Sequence, residues 1–174
     1  MAKFFIASVL GLASLQGAMA APAAEVFPEV IPGPGLPSLA DLGLTSAQLY
    51  KMPTPKQLAA RLDPLNKRFD AKCGPAENAY TNVNDIIACY HYLNNLGTTM
   101  CVGSSANNVF CTAGLAHVTG STPFGPTQSY CRDVAAGVLW AIDSCTRPDQ
   151  SCAGSASAYG NGNLIITSSH RINW

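Results

Sequence analysis

Seven cysteines are the residues best able to do chemistry in this chain of 174 residues. They form one block: Cys73, Cys89, Cys101, Cys111, Cys131, Cys145 and Cys152. Zinc sites use close pairs of cysteines, with about two to four residues between them. The closest pair here, Cys145 and Cys152, has six residues between its members. The spacing therefore favours disulfide bridges, and we expect neither a metal nor a cofactor.

An odd number of cysteines predicts three disulfide bridges and one remaining thiol. Cys131 and Cys145 lie on one predicted helix, about 21 Å apart, whereas a bridge needs Cα atoms within about 7 Å. We therefore expect each of them to bind a different partner, and Cys89 to tie the first helix to a strand. The remaining thiol is either buried and inert, which is the preferred interpretation, or the link of a disulfide dimer.

Three histidines are the other candidates for chemistry. We interpret His91 as a surface residue on the polar side of a helix, and His170 as a solvated residue of the tail. His117 lies in a predicted strand, and the favoured interpretation is an ordinary strand histidine. It would act as a general base if an acid such as Asp133 lay beside it. No hydrolase motif and no pair of carboxylates of the glycosidase type accompanies it in the sequence. We therefore predict that the protein is not an enzyme.

Two helices are predicted within the cysteine block. The first spans 84–96, where apolar residues recur at helical spacing between a start signal at Asn82 and a stop at Gly97. The second follows Pro126 and has Ser129 as its predicted cap. Each helix carries an apolar stripe that includes cysteines, so both are expected to face the core.

Short strands are predicted around the helices. They lie at 99–102, 115–119, 153–159 and 164–167, with 110–112 joined to the second of them. The last two flank Gly160-Asn161-Gly162, and Asn-Gly between two apolar runs is typical of a hairpin. Two helices against an antiparallel sheet make an α+β fold, here a small disulfide-bonded sandwich whose helices cover one face.

A signal peptide is predicted at 1–20. Lys3 precedes an apolar run, and the small residues that end at Ala20 match a signal-peptidase cleavage site. The apolar run is too short to span a bilayer, so a membrane anchor is the less favoured interpretation. We therefore expect a secreted, extracellular protein, since disulfides persist outside the cell.

Residues 21–68 are predicted to form a pro-segment. They contain eight of the twelve prolines and no cysteine. Proline fixes the backbone and removes a hydrogen-bond donor, so we expect the first part to be extended and unable to pack. Short helices are predicted from a Ser38 cap through Tyr50 and after Pro55.

The predicted pro-segment ends at the dibasic pair Lys67-Arg68. Such a pair resembles the cleavage sites of kexin-type processing proteases in fungi, and an ordinary surface pair is the alternative. Cleavage there would leave 69–174 as the mature cysteine-rich domain. That domain carries four basic and six acidic residues. It offers no basic surface to nucleic acid, so we expect no nucleic-acid partner.

The order of several short runs in the cysteine block carries a family resemblance. These runs are Lys72-Cys73-Gly74, Val83-Asn84-Asp85-Ile86-Ile87-Ala88-Cys89, Phe110-Cys111-Thr112, Ala116-His117-Val118-Thr119-Gly120, Asp133-Val134-Ala135-Ala136-Gly137-Val138 and Ala153-Gly154-Ser155-Ala156. Together they resemble the fungal secreted proteins grouped as necrosis-inducing factors, which in turn resemble the virally encoded killer toxins of smut fungi. The resemblance covers Cys73 to about Thr167. This chain departs from it in the odd cysteine and in a long insertion at 98–108 around Cys101.

The resemblance implies an α/β sandwich and a secreted, non-enzymatic effector or toxin-like protein that acts on a host plant or on competing microbes. Its partner would be a host protein or a membrane target. The family offers no catalytic residues to carry over. Two alternatives remain open: a cell-surface or structural secreted protein, linked through the spare cysteine, and, less favoured, a small secreted hydrolase that uses His117.

Overall fold

The computed structural model describes residues 25–53, 69–74 and 76–171. The predicted signal peptide with its cleavage site at Ala20, the predicted helix after Pro55 and the dibasic pair Lys67-Arg68 lie outside the described residues. Three α-helices and ten strands occur within the described residues. Their arrangement is α+β, with the helices packed on antiparallel sheets, so the predicted fold class is confirmed.

The first long helix matches the predicted 84–96 to within one residue at each end. Helix α2 spans Val83–Asn95, and its N-cap Asn82 accepts a hydrogen bond from the Asn84 N–H. Such a side-chain cap satisfies one of the backbone donors that a helix leaves unpaired at its start. Gly97 follows with a φ of 56°, a left-handed conformation that glycine adopts without steric cost.

The second long helix, α3, spans Cys131–Cys145 and is not capped by Ser129, so that prediction was wrong. Ser129 lies two residues before the helix, in a strand where it pairs with Cys101. The N-cap is Tyr130, which makes no side-chain capping bond. The Cys131 N–H instead donates a hydrogen bond to the carbonyl of Thr99. This backbone bond, from the residues just before the strand that contains Cys101, replaces a side-chain cap.

Six strands form the main antiparallel sheet: β1 (Val30–Pro32), β2 (Lys72–Cys73), β5 (Asn108–Ala113), β6 (Ala116–Ser121), β9 (Gly154–Ala158) and β10 (Asn161–His170). Their order across the sheet is β1-β5-β6-β10-β9-β2. The run 110–112, predicted as part of a longer strand, belongs to the separate strand β5. A turn at Gly114, with a φ of 51°, folds β5 back onto β6.

Two further strand pairs lie outside the main sheet. Strands β3 (Thr81–Asn82) and β8 (Ser151–Cys152) form one pair, and strands β4 (Met100–Gly103) and β7 (Thr127–Tyr130) form the other. The hairpin predicted at Gly160-Asn161-Gly162 is confirmed, since β9 and β10 pair on either side of Gly160. Gly160 has a φ of 70°, which suits the tight turn.

Helices α2 and α3 pack on each other and on the main sheet. Helix α2 lies against β5 and β6, whereas α3 lies against β9 and β10. The core between them contains the fully buried side chains of Ile86, Val118, Val138 and Ile166. Alternate residues of a strand point to opposite faces, so one face of the sheet supplies this core.

The Pro-rich segment 25–53 packs on the domain, so the prediction that its first part is unable to pack was wrong. Strand β1 adds an edge to the main sheet, and Val30 is 2 % exposed. Proline has no N–H to donate to a neighbouring strand, so it is tolerated on an edge strand. This explains the position of Pro32 at the end of β1.

The predicted helix from Ser38 through Tyr50 was also wrong, because only its last part is helical. Helix α1 spans Ser46–Lys51 and is capped by Thr45 and Gln48, each side chain bonding the other residue's backbone N–H. Ser38 instead binds Asp41 within a turn. Gly43, with a φ of 64°, lies between that turn and the helix.

None of the helices in the described ranges is long and apolar enough to cross a membrane.

Candidate functional site

Three disulfide bridges hold the domain together, as predicted. They join Cys73 to Cys145, Cys89 to Cys111 and Cys101 to Cys131, with Cα atoms 5.2, 5.6 and 5.1 Å apart. The two cysteines of helix α3 have different partners, and Cys89 ties α2 to strand β5. Both of those predictions are confirmed.

Cys152 is the remaining thiol, and its predicted burial is confirmed. The side chain has no exposed surface, and its thiol donates a weak hydrogen bond of 3.3 Å to the Ala141 carbonyl. Burial raises the pKa of Cys152 to about 11, because a thiolate is poorly solvated there. A disulfide dimer would need a thiol at the surface, and Cys152 does not supply one in this fold.

Two histidines occupy positions that differ from the prediction. His91, predicted at the surface, is 8 % exposed. Burial lowers the pKa of His91, and a hydrogen bond with the backbone of Pro53 opposes that effect. The segment 25–53 thus lies close to the side of α2 that the sequence marks as polar. His170, predicted as a solvated tail residue, is half-buried because strand β10 continues to it and pairs it with Ala116.

His117 and Asp133 do not form the pair that a general base would need. Burial lowers the pKa of His117, and the charges of Arg171 and His170 lower it further. Burial raises the pKa of Asp133, and the charge that opposes this effect is that of Arg132. The buried neighbour Val118 points toward the helices, so His117 points to the other face of the sheet. The two candidate residues therefore lie on opposite sides of the fold.

Arg147 forms a cluster that sequence reasoning missed. Its guanidinium group donates two hydrogen bonds of 2.8 Å to Glu77 and lies 3.3 Å from the centroid of the Tyr80 ring. The bond to Arg147 holds the pKa of Glu77 below its usual range. The residues are about seventy positions apart in the chain, so no local pattern could have indicated the contact. The cluster fixes the loop after α3 to the chain before α2.

The strand pair β4–β7 exposes an apolar surface that we call the ribbon face, formed by Met100, Val102 and Tyr130. These side chains are 43, 48 and 38 % exposed. Met100 pairs directly with Tyr130, so their side chains lie on the same side of the ribbon. Cys101 points inward between Met100 and Val102 and is bound to Cys131 at the start of α3. The bridge therefore anchors the strand directly beneath the exposed pair.

A cleft of about 520 Å³ adjoins the ribbon face. It is lined by Pro34, Gly35, Leu36, Met100, Val102, Asn107, Asn108, Val109 and Phe110. The Asn108 amide donates a hydrogen bond of 2.8 Å to the Val102 carbonyl, which fixes the floor of the cleft to the ribbon. One wall comes from the N-terminal segment and the other from the insertion around Cys101. The sequence marked that insertion as a departure from the resembled family but did not indicate a binding surface.

The fold and its bridges define a small disulfide-bonded α+β domain. The chain belongs to the family described as Domain of unknown function (DUF8794), whose model matches residues 68–170. No curated protein and no solved structure was found to match the chain. The family match begins at Arg68, so it includes the whole cysteine block and excludes the packed segment 25–53.

Proposed function

We propose that this chain is a secreted, non-enzymatic effector or toxin-like protein that acts on a host plant or on competing microbes. In this proposal residues 1–20 direct secretion, and a kexin-type protease cleaves after Arg68. The start of the family match at Arg68 supports that boundary. The resemblance to necrosis-inducing factors and killer toxins supports the class of protein.

The ribbon face is the observation that carries the proposal. Single exposed apolar residues are common, but neighbouring ones on a rigid element are typical of surfaces that contact a partner. Met100, Val102 and Tyr130 are neighbours, and the Cys101–Cys131 bridge holds the strand that presents two of them. A surface that is already ordered loses less conformational entropy when a protein or membrane target binds. Such a surface serves an effector without any catalytic group.

The test is a comparison of purified protein with intact disulfides and two double variants. Each is infiltrated into leaves of several plant species, with ion leakage measured, and added to cultures of several fungi and bacteria, with growth measured. The first variant is Met100→Ser with Val102→Ser. The matched control is Leu115→Ser with Phe124→Ser, since these side chains are 58 and 76 % exposed on loops outside the strands β4 and β7. We expect activity in the wild type and the control, and its loss in the ribbon variant and after reduction.

Different outcomes would overturn different parts of the proposal. A wild-type protein that is inactive on every plant and microbe tested would overturn the effector function. Equal activity of both double variants would show that the ribbon face is not the contact surface. Retention in the producer's cell wall, instead of release, would favour the cell-surface alternative. Loss of activity in a folded His117→Ala variant would favour the hydrolase.

A further inference from the structure

Segment 25–53 contributes side chains to the core instead of lying on the surface. Leu49 of helix α1 is fully buried, and Val30 of strand β1 is 2 % exposed. Several other side chains of the segment pack partly buried against the same core: Leu36, Leu39, Leu42, Leu44, Tyr50 and Met52. Burial of this many apolar side chains makes the segment an integral layer of the fold.

Backbone pairing gives the segment a defined register on the domain. Strand β1 pairs antiparallel with β5, with Val30 opposite Ala113 and Pro32 opposite Cys111. The Gly33 N–H extends this pairing by donating to the Phe110 carbonyl at 2.9 Å. A side chain at Gly33 would collide with the backbone of Val109, so glycine permits the close approach. This is strand addition to an open sheet edge, a known mode of peptide recognition.

Two phenols complete the contact between the segment and helix α2. Tyr50 donates a hydrogen bond of 2.8 Å to Asp85, and Tyr92 donates one of 2.7 Å to the Pro37 carbonyl. Asp85 is 7 % exposed and Tyr92 is fully buried. Polar groups at such depth need partners, and the segment supplies one to each of these groups. The domain surface is therefore complementary to the segment in both its apolar and its polar groups.

No bridge among the described cysteines reaches the segment, because all three pairs lie between Cys73 and Cys145. The residues that connect segment and domain, 54–68, include the dibasic pair. Cleavage after Arg68 would therefore leave the segment without a covalent link to the domain. It would also remove the high effective concentration that a short tether provides.

We propose that residues 25–53 remain bound after cleavage as a second, non-covalent chain, held by strand addition to β5 and by the docking of α1 on α2. The inference rests on the processing proposed above. The active form is then a two-chain complex, and the occupant of the β5 edge is the chain's own N-terminal segment. The cleft beside the ribbon face also depends on this retention, since Pro34, Gly35 and Leu36 form one of its walls.

The first experiment cleaves the purified full chain with a dibasic-specific protease and analyses it by native mass spectrometry and size-exclusion chromatography. We expect both chains in one species, and their separation in urea without any reductant. A second form of the protein carries the recognition sequence of an unrelated protease within 54–66. If only this form can be cut and its chains stay together, cleavage after Arg68 is contradicted, but the proposal that 25–53 stays bound is supported. Chains that separate under native conditions overturn the retention, whichever protease made the cut.

The second experiment tests the docking surface with synthetic peptides, so that no variant has to fold as a full chain. The cleaved protein is separated in urea with its disulfides intact and diluted into an excess of labelled 25–53 peptide. Val30→Asp and Ile31→Asp peptides form a matched pair, because Val30 is 2 % and Ile31 is 49 % exposed on the same strand. We expect the wild-type and Ile31→Asp peptides to bind, and the Val30→Asp peptide to bind about ten- to a hundredfold more weakly. Equal recovery of all three peptides, or recovery of none, overturns the proposal.

Discussion

The phenol of Tyr50 donates a hydrogen bond to the carboxylate of Asp85, and the two oxygens are 2.8 Å apart. The other carboxylate oxygen of Asp85 accepts the Leu115 N–H at 3.4 Å. Tyr50 lies in α1, outside the family match, whereas Asp85 lies in α2 and Leu115 in the β5–β6 turn. One buried carboxylate thus connects the N-terminal segment to a helix and to the main sheet.

We expect Tyr50→Phe to lower the free energy of unfolding by about 1–3 kcal/mol. The change leaves the ring in place and removes a hydrogen bond to a charged group, which is worth more than one between neutral groups. Urea denaturation followed by circular dichroism measures the difference. Tyr159→Phe is the matched control, since Tyr159 is 47 % exposed. A loss of the same size in both variants would show that the Asp85 contact has no special role.

Cys152 should resist alkylation while the protein is folded. Its side chain is buried, and with a pKa of about 11 only about one thiol in ten thousand is ionised at pH 7. Treatment with iodoacetamide should add no mass to the native protein and one adduct after denaturation without reductant. The Cys152→Ser variant should gain none under either condition. Modification of the native protein, or more than one adduct in denaturant, would contradict the assigned thiol.

Stability should fall as the pH drops below about 6.5, the ordinary pKa of histidine. Burial lowers the pKa of both His91 and His117 in the folded protein. The unfolded chain therefore binds protons that the folded chain does not, so this contribution is present above pH 6.5 and lost toward the folded pKa. Urea midpoints at pH 5.5, 6, 7 and 8 measure how steeply stability depends on pH. We expect the stability of His91→Gln to depend less steeply on pH than that of the wild type below pH 6.5. Above pH 7.5 the two proteins should show the same dependence on pH. An unchanged slope in the variant would contradict the role of His91.

Gly154→Ala should destabilise the protein by about 1–3 kcal/mol through overpacking. A Cβ atom at Gly154 would lie 2.9 Å from the Cys145 sulfur and 3.0 Å from the Cβ of Ala141, both on helix α3. Ser157→Ala is the control on the same strand, because Ser157 is partly exposed and the change removes atoms. Urea denaturation of both variants with disulfides intact gives the comparison. A Gly154→Ala variant as stable as the control would show that α3 moves to accept the methyl group.

Local signals in the sequence predict the structure correctly where neighbouring residues decide it. Asn82 and Gly97 bound helix α2 because a cap and a left-handed stop act within one turn of the helix. The Asn-Gly signal gave the β9–β10 hairpin for the same reason. The prediction of Ser129 as the cap of α3 was wrong because the pairing of β7 with β4 extends to the start of the helix and takes the place of a side-chain cap.

The surfaces of the candidate site could not be predicted because they join distant parts of the chain. His91 has the sequence context of a surface residue, yet it is buried beside the segment that ends at Pro53. The cleft takes one wall from Pro34 to Leu36 and the other from residues about seventy positions later. Contacts between segments this far apart in the chain cannot be predicted from the periodicity or spacing of residues.

By itself the sequence determined the fold class, the number of bridges and the existence of one spare thiol, since counting and local periodicity suffice for these. The tertiary structure decided which cysteines pair, that Cys152 is the spare one, and that a Pro-rich segment forms an edge strand. Each of these depends on which distant surfaces come together, as when Cys73 and Cys145 meet across 72 positions of the chain. That outcome is set by the packing of whole elements, because burial and hydrogen bonding are satisfied only when the elements are assembled.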